Sequence, residues 1–101
     1  MKILAMEKPV SGADQSRFTE DLLRQEAAKL WQLLQSDVVR EAYFRADRHE
    51  AVLILECGSP EEAYRCLAGL PLATAGLIRF EVIPLVPYSG FERLFNSSTP
   101  P

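Results

Sequence analysis

Glu26 is the residue in this chain best suited to move a proton. It falls in a long segment, from about Ser16 to Gln35, whose apolar residues recur at helical spacing without a Gly or Pro. On a wheel turning about 100° per residue, with Phe18 at the origin, Leu22, Leu33, Leu30, Leu23, Leu34, Ala27 and Trp31 fill an arc from about 40° to about 220°. Glu26 lands at about 80°, inside that arc, whereas Glu20 and Asp21 sit nearer its borders. A carboxyl on the apolar face of a packed helix loses hydration, which disfavours its charged form and raises its pKa. Proton transfer near neutral pH needs such a group, able to take a proton and to return it. The plainer alternative is a structural acid at the rim of a sheet, paired with an arginine such as Arg45.

Other residues offer supporting chemistry. Arg45 and His49 can donate to an oxyanion, and Tyr43 with Phe44 can bracket a planar ring. Each has an ordinary reading as well: sheet packing for Tyr43 and Phe44, a surface charge for Arg45, and a solvated hairpin residue for His49. Cys57 and Cys66 are the only cysteines and lack both zinc spacing and the C-x-x-C redox spacing, so they read as buried free thiols. With a single histidine and no cysteine cluster, no protein-built metal site is expected.

Composition narrows the class. The chain has 101 residues, 48% of them apolar and 25% charged, which suits one soluble globular domain. Its net charge of −3 and its scattered Lys and Arg residues argue against nucleic acid as a partner. Charges or prolines interrupt every apolar run before membrane-spanning length, and the first residues are too soon charged for a signal peptide. A cytoplasmic protein is the expectation.

The elements that must position these groups follow from pattern. Residues 2 to 8 read as a strand, and Pro9, Ser11, Gly12 and Asp14 as a turn before the long helix, which Ser36 and Asp37 end. Val38 to Asp47 reads as a second strand, Arg48-His49 as a tight connection and Glu50 to Cys57 as a third strand. Apolar residues on both alternating faces from Ala51 to Leu55 make that third strand central. Ser59 suits an N-cap, Pro60 the first helical position and Glu62 the capping box, for a helix running to about Leu70. A last strand runs from Leu77 to about Val86, and Pro84 places it on an edge. The order βαββαβ is the split, ferredoxin-like α+β plan: a four-stranded antiparallel sheet with two helices on one face. Residues 1 to 95 then form a single domain, and 96 to 101 a flexible tail.

The uncovered face is itself partly apolar. Ile78, Phe80 and Val82 share one face of the last strand, but Ile83 and Leu85 fall with Arg79 and Glu81 on the other. A second copy packed on that face would give a homodimer with barrel-like character. Phe91, Leu94 and Phe95 mark a short amphipathic segment that packs on its own subunit, crosses to a neighbouring one or lids a pocket.

Over Leu67 to Leu85 the chain resembles the muconolactone isomerase-like family, with Leu67, Gly69, Leu70, Pro71, Leu72, Glu81, Val82, Pro84 and Leu85 in its pattern. The wider resemblance runs from about residue 2 to 87. It implies a small, cofactor-independent enzyme of aromatic catabolism, assembled from dimers, that shifts a proton across an unsaturated lactone or eliminates chloride. Glu26 matches the glutamate of the family's Arg-Glu pair, preceded here by Gln25, with Arg24 one position earlier. Tyr43-Phe44 stand where the isomerases have Trp-Arg, with Arg45 displaced by one, and the ending PYSGFERLF is this chain's own. The expectation is proton transfer by Glu26 on a small unsaturated, oxygenated molecule, with Tyr43, Phe44, Arg45 and His49 around it. A non-catalytic dimeric ligand-binding module, or a cofactor-free oxygenase or cyclase on the same scaffold, are the alternatives.

Overall fold

The computed structural model describes residues 1 to 95; the tail expected from Asn96 lies outside them. Strand β1 covers Lys2–Pro9, helix α1 Glu20–Gln35, β2 Val39–Phe44, β3 Ala51–Glu56, α2 Pro60–Ala68, a short α3 Pro71–Thr74, and β4 Ile78–Pro84. The strands form one antiparallel sheet in the order β2-β3-β1-β4. This is the ferredoxin-like arrangement, with β3 central and β4 on an edge as its proline requires. Leu85 N–H donates to Lys2 O at 2.9 Å, so by alternation the nitrogen of Pro84 faces the open side of β4, where no ladder bond is lost.

Local chemistry sets the boundaries. Thr19, rather than a residue near Ser16, caps α1 by accepting from Leu22 N–H, and Gln15–Arg17 before it is a turn of 3₁₀ helix. At the other end Asp37 takes a positive φ of 63°, and Val38 N–H reaches Leu33 O while Asp37 N–H reaches Leu34 O. That pair of bonds is a Schellman stop, made here with aspartate in the usual glycine position. In α2, Ser59 Oγ accepts from Glu62 N–H at 3.2 Å, and Glu62 Oε2 accepts from Gly58 N–H at 2.9 Å. Strand β2 ends earlier than expected, because Arg45 to Glu50 closes on itself as the hairpin through Arg45 N–H to Glu50 O.

The core lies on one face of the sheet. Ile3 and Ala5 of β1, Val39 of β2, Leu53 and Leu55 of β3, and Ile78 and Phe80 of β4 are buried there under Ala63, Leu67, Leu70 and Leu72. Helix α2 lies over β4, and α1 lies over β2 and against α3. No residue of α1 is fully buried. Phe18, Leu22, Leu30, Leu33 and Leu34 are partly covered, while Leu23 and Trp31 remain exposed. The covered arc is therefore centred near Glu26, and the far side of the apolar stripe faces outward. Cys57 is buried and Cys66 partly so, both as free thiols; burial holds the Cys57 thiol above its ordinary range, with Cys66 beside it.

Strand β2 carries a bulge. Val39 pairs with Leu55 but Glu41 pairs with Ile54, so Arg40 is an extra residue. Beyond it Ala42 and Phe44 share the helix side with Leu53 and Ala51, and Glu41 and Tyr43 point to the open side.

Because the Ser59 hydroxyl satisfies an otherwise unpaired helix-end donor, Ser59→Ala should lower unfolding stability by about 1 kcal/mol without changing the fold. Urea titration followed by circular dichroism measures this.

Candidate active site

The chemistry gathers where α1, α3 and the β2–β3 end of the sheet meet. Helix α3 begins without a side-chain cap: Leu70 precedes it and Pro71, its first residue, has no N–H. The first N–H that α3 presents is that of Leu72, and Glu26 Oε1 accepts it at 2.8 Å. One carboxylate oxygen from α1 thus caps a different helix, a role that helix ends usually fill locally. Among the described residues Glu26 has no basic partner, so the alternative of a pairing with Arg45 does not form. Burial raises the Glu26 pKa above its ordinary 4.5, the Leu72 N–H opposes that, and the negative charge of Glu7 raises it further.

Glu7 was not singled out from sequence. It shares the helix side of β1 with the buried Ile3 and Ala5, and its Oε1 accepts from Ala51 N–H at 3.0 Å. The β1–β3 ladder runs only to the Met6–Val52 pair, so the Glu7 carboxylate takes the place of the next ladder acceptor. Its pKa is also raised, first by burial and then by Glu50, while the Ala51 N–H and His49 pull it down. The alternation Ile3, Ala5, Glu7 was the available signal, because it puts an acid on the covered face of the first strand.

His49 and Phe44 join this group. Phe44 pairs with Ala51 across the hairpin, and its ring stacks on His49 with centroids 4.0 Å apart and planes 22° apart. Phe44 is 61% exposed, so it offers a flat apolar surface and is not part of the packed core. The other two expected residues stand apart. Tyr43 lies on the opposite face of the sheet and donates to Glu41 Oε1 at 2.6 Å, which holds its hydroxyl above the usual range. It cannot bracket a ring together with Phe44. Arg45 is forked onto Asp47, with Nε to Oδ1 at 2.8 Å and Nη2 to Oδ2 at 2.7 Å, and Nη1 lies 3.8 Å from Glu50. That guanidinium braces the hairpin, and His49 is the cationic donor whose charge reaches Glu7. Among the described residues no three His, Cys, Asp or Glu side chains cluster as metal ligands, and no helix is long and apolar enough to cross a membrane.

Two half-buried carboxyls, Glu26 and Glu7, thus lie under the helical layer of a ferredoxin-like α+β sheet. Neither a protein-family model nor a curated protein matches the chain. Among solved structures, muconolactone isomerase superposes with a TM-score of 0.69 at 21% identity, over 88% of this chain and 92% of that one. The 5-chloro-2-hydroxyhydroquinone dehydrochlorinase of Burkholderia phenoliruptrix AC1100, in complex with 2,5-dihydroxybenzoquinone, superposes with a TM-score of 0.65 at 21% identity, over 89% and 98%. The shared property is the fold.

The raised Glu26 pKa has a consequence for stability. Between the ordinary 4.5 and the raised value the folded chain binds more protons than the unfolded one, so stability falls as pH rises through that window. Glu26→Gln keeps an acceptor for Leu72 N–H but does not titrate. The variant should match the wild type in stability below the window and exceed it above, as read by chemical denaturation across pH.

Proposed function

We propose that this chain is a cofactor-independent isomerase- or lyase-type enzyme, a divergent member of the muconolactone isomerase-like family. It moves a proton on an unsaturated lactone or a related small oxygenated compound. The observation that carries this reading is Glu26: one oxygen anchored by Leu72 N–H, no basic partner among the described residues, and a pKa raised by burial. An anchored carboxylate is fixed in orientation, and desolvation makes it a stronger base than a solvated one.

In the step envisaged, the Glu26 carboxylate takes a proton from the carbon beside the carbonyl. The bonding electrons move toward the carbonyl oxygen as an enolate-like charge. Glu26 then returns the proton to the far end of the conjugated system, and the double bond shifts. With chlorine on the saturated carbon next to that end, the same electrons form a C=C bond there and expel chloride instead. In this reading the charge of Glu7 keeps Glu26 basic, His49 donates to the oxyanion, and Phe44 supplies a face for the flat ring. Two structural neighbours, an isomerase of muconolactone and a dehydrochlorinase of a hydroxyhydroquinone, support this substrate class.

A second reading has its own observation. Capping α3 is a structural task, and a non-catalytic ligand-binding module would use Glu26 for that alone.

Turnover in D₂O separates the two. Wild-type protein should incorporate solvent deuterium into a substituted unsaturated γ-lactone, followed by proton NMR, and Glu26→Gln should slow this by about 10²- to 10⁴-fold. Equal rates for the two proteins would leave only the structural role. Glu7→Gln should keep activity but move the acid limb of the rate profile to lower pH, because a negative neighbour of Glu26 has gone.

A further inference from the structure

Helix α1 carries two basic residues, Arg24 and Lys29, and they differ in setting: Arg24 is exposed and Lys29 is half-buried. Their places on the helix wheel account for this. With Phe18 at the origin, Arg24 falls at about 240°, on the outward side, and Lys29 at about 20°, between Phe18 and Leu22. The partly covered Phe18, Leu22, Leu33, Leu30 and Leu34 run from the origin to about 160°. Lys29 therefore lies within the same covered arc as Glu26, at the border away from the exposed Leu23 and Trp31. It follows Glu26 by three residues, a spacing that makes side chains neighbours on a helix, with Cβ atoms about 5–6 Å apart.

A glutamate and a lysine so placed ordinarily pair with each other. These two do not. Glu26 turns one oxygen to Leu72 N–H, and among the described residues Lys29 enters no ion pair. A half-buried ammonium next to a carboxyl that is oriented elsewhere is a charge in want of an oxyanion.

We propose that Lys29 is the substrate-binding cation of the Glu26 site, its ammonium holding a carboxylate of the substrate while Glu26 moves the proton. The inference rests on the proton-transfer reading above and adds to it the charge of the molecule that binds. Glu26 and Glu7 repel an anion, and Lys29 offsets that repulsion at one spot. The carboxylate end of the substrate is thereby turned toward Lys29, which presents the remainder to Glu26. Side chains on a helix lean toward its N-terminus, so the flexible four-carbon stem of Lys29 leads back along α1 toward Glu26. Arg45 cannot take this role, because both edges of its guanidinium are forked onto Asp47.

The test titrates the full chain, by calorimetry, with an unsaturated γ-lactone bearing one carboxylate and with the methyl ester of the same compound. Wild-type protein should bind the acid at least ~10-fold more tightly than the ester. Lys29→Met keeps the stem without the charge and should lose that preference, whereas Lys29→Arg should keep it. Equal binding of acid and ester by the wild type, no binding of either, or an unchanged preference in Lys29→Met overturns the proposal. Wild-type protein supplies a second measurement by NMR. The Lys29 Cε–H signals should shift on addition of the acid and not of the ester, and a shift with both or with neither overturns it. Failure of the catalytic reading is separately visible. A preference for the acid that depends on Lys29, together with equal deuterium incorporation by wild type and Glu26→Gln, upholds Lys29 as the binding cation and rejects Glu26 as the base.

Discussion

The hydrogen bond from Leu72 N–H to Glu26 joins parts of the chain that nothing else holds in the same way. Helix α3 is four residues long, starts on a proline and has no cap of its own. Helix α1 has no fully buried residue to anchor it. The Leu-Pro-Leu turn presents a single unpaired donor, and Glu26 reaches it from the centre of the covered side of α1. Without that acceptor, a partly buried N–H would lie beneath a helix held by partial contacts alone, and an unmade bond there costs more than a formed one contributes. The same contact orients the carboxyl. Helix α3 and the setting of this carboxyl thus depend on one contact, with one carboxylate oxygen committed to the helix end.

Glu7 repeats the device on the sheet. Its carboxylate accepts from Ala51 N–H where the β1–β3 ladder stops, so two acids from different elements meet at one end of the domain, each fixed through one oxygen to a backbone donor. Burial and mutual repulsion work against ionising both. Among the described residues no guanidinium pairs with either, and Arg45, the candidate offered by the sequence, is occupied by Asp47 and Glu50.

Much of this was legible in the residues. Strand order, the Ser59-Pro60-Glu62 helix start, the edge position of Pro84 and the misfit of Glu26 on its helix all follow from period and turn chemistry. What escaped has identifiable physical causes. The short α3 is one turn following Pro71, too brief for periodicity to reveal. The covered face of α1 is set by where the helix lies over β2, so a wheel could give the apolar arc but not which part of it is buried. The bulge at Arg40 decides which side of the sheet Tyr43 and Phe44 occupy. An unbroken alternation from buried Val39 would have turned Tyr43 toward the helices and Phe44 away; the inserted residue reverses both. A bulge leaves no reliable mark in a single sequence. Glu7 was readable in principle, since it follows Ile3 and Ala5 at strict alternation, but an acid near the end of a first strand looks like an ordinary surface charge.

That bulge and Pro84 have a joint effect on how the molecule behaves in a crowd. A four-stranded open sheet has two free margins, each a row of amide groups that could template a foreign strand. Along β4 the outward row lacks a donor at Pro84, and along β2 the extra Arg40 throws the spacing out of step. Neither margin offers an uninterrupted run of donors and acceptors. Growth of a continuous cross-β stack from either side is blocked by the backbone itself, even though the chain displays enough apolar surface to make sticking a hazard. The sheet is left with broad faces on which to make contacts, and no rim on which to grow.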